Sequence, residues 1–281
     1  MKPNIVVLTD FSPAAEQAVA YAAVLAAPLA AEVHLVHVFS PPPTTPRVAM
    51  IMHATTTRFL REKHRSLAQA AAGLPGPVTT DLLEEDWDTA VEDALVKYQP
   101  LVLVAGLTAT DSALDEWLSN RTLPLARQTG YPLLLVPQHL PAAALRPPRC
   151  LALAVEDTAF ELRQSATRIA PLLDALGTEI VTVSVLPADK WANGQHGLRA
   201  ARQCGLAAAM PGSALHKVIG MAPATGILQA VEELTADVLA LVDRGHGWAY
   251  RLAIDSVFDQ IMRHTQVPVL LLAAAPPAPE D

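Results

Sequence analysis

The sequence predicts an α/β protein made of two tandem open parallel five-stranded sheets, each with helices on both faces and strand order 3-2-1-4-5. Two observations carry this. Short apolar runs alternate with longer helical stretches through the first 137 residues, a pattern that gives a parallel sheet covered on both sides. After a proline-rich break the same pattern starts again. Right-handed crossovers leave few other strand orders.

The elements follow in order. Ile5-Val6-Val7-Leu8 is a strand buried on both faces. Ser12 is placed to cap a helix whose first residue is Pro13, and that helix runs to about Leu29. Glu32 to Phe39 is a second strand, ended by Pro41-Pro42-Pro43. A helix over Val48 to Ala72, a strand over Pro77 to Leu83 and a helix over Asp88 to Lys97 come next. A strand over Leu101 to Ala105, a helix over Ser112 to Gln128 and a strand over Pro132 to Val136 complete the unit.

Pro137 to Pro148 reads as a linker, with Ala142 to Ala144 inside it. Residues 1–137 and 149–274 are therefore expected to be two related domains. Leu8-Thr9-Asp10 falls on Val155-Glu156-Asp157 at an offset of 147, without a gap as far as Glu32 on Glu179. Late in each half the offset is 136, with Val102-Leu103-Val104 on Val238-Leu239-Ala240 and Leu133-Leu134-Leu135 on Val269-Leu270-Leu271. The shortfall lies around Trp191 to Gly212, an irregular stretch that carries four glycines.

Composition excludes several classes. Of 281 residues 50 are Ala, and aromatics are 5%, so the core is close-packed Ala, Leu and Val. A net charge of −8 argues against nucleic acid, which needs a basic stripe. Cys150 and Cys204 make neither a disulfide framework nor a CxxC zinc site. The longest uncharged helical stretch, Ala18 to Ala31, has 14 residues and contains Pro28, too short for the ~20 a membrane span needs. The apolar run after Lys2 ends at Asp10, too short for a signal-peptide core. A cytoplasmic protein is expected.

Ile5 through Ala15, with Asp10-Phe11-Ser12-Pro13 at its centre, then Val33-His34-Leu35-Val36-His37-Val38 and Tyr131 through Val136, resembles the universal stress protein family. Thr265-Gln266-Val267-Pro268-Val269-Leu270-Leu271 repeats the closing segment. The resemblance implies that the aspartate after the first strand, Asp10 or Asp157, contacts the adenine–ribose end of a nucleotide. The residues alone give an alternative, a strand-end carboxylate that caps the following helix.

Nucleotide-binding members carry a glycine loop after the fourth strand: Gly, two residues, Gly, nine residues, Gly, then Ser or Thr. Glycines let backbone amides approach phosphate, and the hydroxyl sits at a helix start. Here Gly106 fits the first glycine of the first loop, while Ala109, Ser119 and Asn120 depart from it. In the second loop Gly245 and Ser256 fit, while Val242 and Asp255 do not. A carboxylate ~4 Å from a phosphate costs roughly 4 kcal/mol at an effective dielectric of 20. Asp111, Asp115 and Glu116 repel a triphosphate at the first loop; Arg244, His246 and Arg251 attract one at the second, against Asp255.

The possible nucleotide contacts are therefore Asp10, Gly106, Asp157, Gly245 and Ser256. The expected function is a non-catalytic stress-response binding or regulatory module with degenerate nucleotide loops and no cofactor. The alternative is an ATP site kept in the second half. No catalytic residue and no metal site is expected. His34 and His37 point to opposite faces of one strand, and His53 and His64 are three turns apart. Arg58, Arg61, Lys63 and Arg65 read as a solvated helix face, and Trp248 and Tyr250 as helix packing. The apolar, lysine-free last strands, together with the resemblance, imply that they pair across a pseudo-two-fold axis within one chain. A monomer or a modest homodimer is the expected state.

Overall fold

The computed structural model describes residues 2–40, 46–108, 123–206, 214–244 and 257–275. In the first half the elements are β1 (Asn4–Leu8), α1 (Pro13–Ala26), β2 (Glu32–Val38), α2 (Pro46–Ala72), β3 (Val78–Leu83), α3 (Trp87–Tyr98), β4 (Val102–Leu107), α4 (Leu123–Thr129) and β5 (Leu133–Pro137). In the second they are β6 (Cys150–Ala154), α5 (Ala170–Leu176), β7 (Glu179–Leu186), α6 (Gln195–Gln203), β8 (Leu215–Ile219), α7 (Pro223–Glu233), β9 (Val238–Asp243), α8 (Val257–His264) and β10 (Val269–Ala273).

Each half has the strand order 3-2-1-4-5, but the two sheets are not separate. β5 and β10 pair antiparallel, and one ten-stranded sheet runs β3-β2-β1-β4-β5-β10-β9-β6-β7-β8. The expectation of two sheets is corrected at this junction. Two unpaired apolar edges would leave their N–H and C=O groups exposed, and closing them on each other satisfies both.

The sheet has one core layer on each face, and both layers cross the junction. Ile5, Val7, Leu134, Leu153 and Leu270 belong to one; Val6, Leu103, Leu133, Leu239 and Leu271 belong to the other. α1 lies on the first layer with Ala18, Tyr21, Ala22 and Leu25 buried. Small residues let it sit close to the strands, which an Ala-rich sequence supports.

α1 starts at the predicted place. Ser12 is the N-cap, its hydroxyl accepting from the Ala15 N–H at 3.2 Å, and Pro13 follows at the first helical position. The second half has no such start. By strand register Thr158 and Ala159 stand at the corresponding positions; the Thr158 hydroxyl accepts from Arg244 and no proline follows it. The chain stays irregular until a 3-10 turn over Ala166–Ile169 leads into the seven-residue α5.

The repeat itself is corrected by the register. Leu8 pairs with Val36, 28 residues on, whereas Ala154 pairs with Val183, 29 residues on. β6 therefore corresponds to β1 at an offset of 146, and the extra residue lies between β6 and β7. Burial agrees: Ile5 and Val7 face the same layer as Leu151 and Leu153, not Ala152 and Ala154. A one-residue slip would turn every side chain to the other face.

The proline-rich connection is held in place. A 3-10 turn occupies Ala142–Ala144. Asp237 then accepts from the Arg146 guanidinium at 2.7 Å and from the N–H groups of Arg149 and Cys150 at 2.8 and 3.1 Å. Arg168 reaches back across the junction, donating to the carbonyls of Gln99 and Pro100 at 2.7 and 3.1 Å. Among the described residues no helix is long and apolar enough to cross a membrane.

Candidate functional site

In an open α/β sheet ligands bind outside the carboxyl ends of the strands, where the strand order reverses. In the first half that point lies between β1 and β4, and a cavity of about 180 Å³ opens there. Leu8, Val36, Val38 and Ala15 supply its apolar wall; Asp10, Ser12, His37 and Thr108 supply polar groups, with Trp87 and Gly106 completing it.

The loop between β1 and α1 is shaped by its own short-range bonds. Asp10 is exposed, and its Oδ1 accepts the Ser12 N–H at 2.9 Å. Thr9 Oγ1 accepts the Phe11 N–H at 3.1 Å. Asp10 thus holds the capping residue rather than capping the helix itself. Between them Phe11 has φ of 67°, a left-handed conformation uncommon for a bulky residue. Its ring lies 4.6 Å from that of His37, and the Lys63 ammonium sits over it at 4.5 Å and over Phe59 at 5.3 Å. Lys63 is half-buried at the edge of the site, which corrects its reading as part of a solvated face. Its neighbour pair Arg58–Glu62 does lie on the surface.

Gly106 has a packing role that its motif position does not reveal. A Cβ there would stand 2.3 Å from the Ala14 carbonyl carbon and 2.6 Å from the Ala15 nitrogen. Only glycine lets β4 pass under the first turn of α1. The equivalent residue in the second half is Val242, 5% exposed. Among the described residues the chain after β6 forms no helical turn before Ala166, so the first turn of α1 has no counterpart at that place and a branched side chain is accommodated.

His37 is 8% exposed, and its Nδ1 lies 2.6 Å from the Thr9 carbonyl oxygen. A carbonyl only accepts, so Nδ1 carries the proton. Burial, the largest influence, holds the ring below the ordinary imidazole range, with Lys63 acting the same way and the Thr9 bond and Asp10 opposing. His34, on the opposite face, stacks on Tyr98 with centroids 3.9 Å apart. The two histidines do not converge, and among the described residues no group of three or more His, Cys, Asp or Glu is placed to hold a metal ion.

The second half fills the corresponding place with its own chain. By register Glu156, not Asp157, occupies the position of Asp10. Arg244 lies 3.5 Å from the Glu156 carboxylate and donates to the Thr158 hydroxyl and, at 2.7 Å, to the Ala159 carbonyl. Asp157 Oδ1 accepts the N–H groups of His196 and Gly197, at 2.9 and 3.1 Å, at the start of α6. Asp157 therefore caps a helix, but one about 40 residues away rather than the next. Desolvation pushes its carboxyl upward, and the amides of Gly194, Gly197 and His196 together outweigh this and hold it below the usual value. A Cβ at Gly197 would come within 2.5 Å of the Glu156 carbonyl, so α6 is seated directly on this loop.

Of the five residues singled out in the sequence, Asp10 and Gly106 meet at the first cavity, and Asp157 is engaged by α6. Gly245 and Ser256 lie outside the described residues, as do Ala109, Ser119, Asn120 and Asp255 and the charged residues of both loops from Asp111 to Glu116 and from His246 to Arg251. Trp248 and Tyr250 and the side chain of His53 are outside them too. His37 and Trp87 line the cavity, and Lys63 sits over Phe11, which packs on His37; the motifs marked none of the three.

A doubly wound sheet with a crevice at its switch point is a widespread α/β architecture. The model of the universal stress protein family matches residues 1–137 and 163–273, and the chain belongs to that family. The unmatched stretch includes β6, Glu156 and Asp157. The chain is similar to a universal stress protein from Archaeoglobus fulgidus DSM 4304, with 15% identity and a TM-score of 0.59 over 98% of this chain and 97% of that one. It is also similar to a functionally unknown protein from Pseudomonas aeruginosa PAO1, with 14% identity and a TM-score of 0.54 over 96% and 92%. At this identity the likeness is one of fold. No curated protein matches the chain.

Proposed function

We propose that the chain is a non-catalytic universal-stress-type binding module, cytoplasmic and acting as a monomer or modest homodimer. Its first half takes the base-and-sugar end of an adenine nucleoside or nucleotide, and its second half serves as a structural partner. The observation that carries this reading is the contrast between equivalent positions. Asp10 borders an open cavity, whereas Glu156 and Asp157 are bonded to Arg244 and to the start of α6. The apolar wall of Leu8, Val36 and Val38 beside Asp10 and His37 suits a ring system with polar edges. The alternative drawn from the sequence, an ATP site in the second half, requires displacing those internal bonds.

Calorimetric titration of the whole chain with adenosine and with Mg-ATP tests this. One equivalent is expected, weakened by Asp10→Ala and unchanged by Asp157→Ala. Two equivalents, loss of binding through Asp157→Ala, or no heat with either ligand at about millimolar concentration, the weak end of specific binding, overturns it.

A further inference from the structure

We propose that His37 is the specificity-determining residue of the first-half site, presenting a bare Nε2 acceptor that selects a ligand edge carrying an N–H donor. The proposal rests on the functional reading above, that this cavity takes a base.

Three observations support it. His37 lines the cavity and is otherwise more than nine-tenths buried. Its Nδ1–H is committed to the Thr9 carbonyl, which fixes the tautomer and leaves the lone pair on Nε2. Nε2 has no hydrogen-bond partner among the described residues and is not shut off from solvent, so a ligand N–H would take the place of water at this lone pair. The ring cannot readily turn away, since Phe11 packs against it and the Phe11 backbone is held by Thr9 and Asp10 on either side. The second half has Ser184 at the matching place on β7, too short to present the same group.

The chemistry names the ligand class. An aminopurine offers an exocyclic N–H to such an acceptor; a purine without the amino group does not. Protonation reverses the preference, because an imidazolium donates from both nitrogens. The charged groups facing the ring are Asp10 from the β1–α1 loop and Lys63 from α2, of opposite effect. Binding of an aminopurine is therefore constant above the ordinary imidazole range and declines as pH falls below it.

The test compares adenosine with purine riboside, which lacks the 6-amino group, by calorimetry on the full chain. A preference for adenosine of roughly tenfold is expected from one recovered hydrogen bond, with the preference abolished by His37→Phe. Equal binding of the two nucleosides by the wild-type chain overturns the role of His37 and leaves the site reading standing. Binding of neither overturns the site reading as well. A readout independent of variant folding is the nitrogen NMR spectrum of the wild-type imidazole. A proton on Nδ1 at neutral pH supports the proposal, and a proton on Nε2 overturns it.

Discussion

Leu134 and Leu270 face each other across the β5–β10 ladder, and each is the other's counterpart in the repeat. Their neighbours exchange partners, with Leu133 opposite Leu271 and Leu135 opposite Val269. A pseudo-two-fold axis therefore passes between these two leucines, which are 3% and 1% exposed. The junction is as dry as the rest of the core, and both core layers continue through it. A lysine in place of Leu134 would bury an unpaired charge, at a cost on the order of 3 kcal/mol or more. Urea denaturation is expected to show one transition for both halves of the wild-type chain, and a lower midpoint or a split transition for Leu134→Lys.

Gly106 and Val242 sit at equivalent places under different roofs. Gly106→Ala pushes a methyl into the backbone of Ala14 and Ala15, and overpacking of this kind costs about 1–3 kcal/mol. Val242→Ala instead removes buried carbon, at roughly 1.5 kcal/mol. Denaturant midpoints of the two variants check both values. Adenosine affinity separates them further: it falls with the first, because α1 borders the cavity, and holds with the second.

Asp157→Ala removes the acceptor at the start of α6. A lost N-cap costs typically about 1 kcal/mol, and faster hydrogen exchange is expected at the amides of His196 and Gly197. The pH dependence has a definite sign. The folded-state carboxyl lies below its ordinary value of 3.8, so its contribution is present above that value. It is lost as pH falls through the lower, folded value. The variant lacks this component of acid sensitivity, which stability curves between pH 5 and roughly 2 measure.

His34 gives a second pH-dependent term. Burial holds its ring below the ordinary value of 6.5, so between the two values the unfolded chain binds the proton and the folded chain does not. Stability therefore falls as pH drops through about 6.5 and levels off below the folded value. His34→Phe retains a ring against Tyr98 and is expected to reduce this slope. Urea midpoints from pH 8 to about 5 show whether it does.

Much of the fold is legible in the residues. Ser12-Pro13 marks the start of α1, and the residue pattern and its repeat mark the strands of the first half and β6, β7, β9 and β10, whereas β8, Leu-His-Lys-Val-Ile, carries no apolar run. The register of the second half is harder to read, because Ile5-Val6-Val7-Leu8 is apolar at every position and tolerates a shift by one. The alternation of Leu151, Leu153 and Val155 with Ala152 and Ala154 holds the signal, large residues to one layer and alanines to the other. Matching Asp157 to Asp10 by letter concealed that Glu156 takes its place. The site was less legible because its parts meet only through tertiary packing. Asp157 bonds to amides 39 and 40 residues away, and Lys63 reaches Phe11 from a helix whose sequence reads as a charged surface.

The antiparallel junction has a consequence for how such a molecule behaves on dilution. Were β5 to pair with the β5 of a separate copy, the pairing would weaken with falling protein concentration, and both sites would have to change together. Here the partner strand arrives on the same chain, so the pairing is insensitive to concentration. Each half is also free to diverge alone. A single chain can keep one crevice open and let the other close over its own residues, and its saturation curve is then a simple hyperbola with one ligand per molecule.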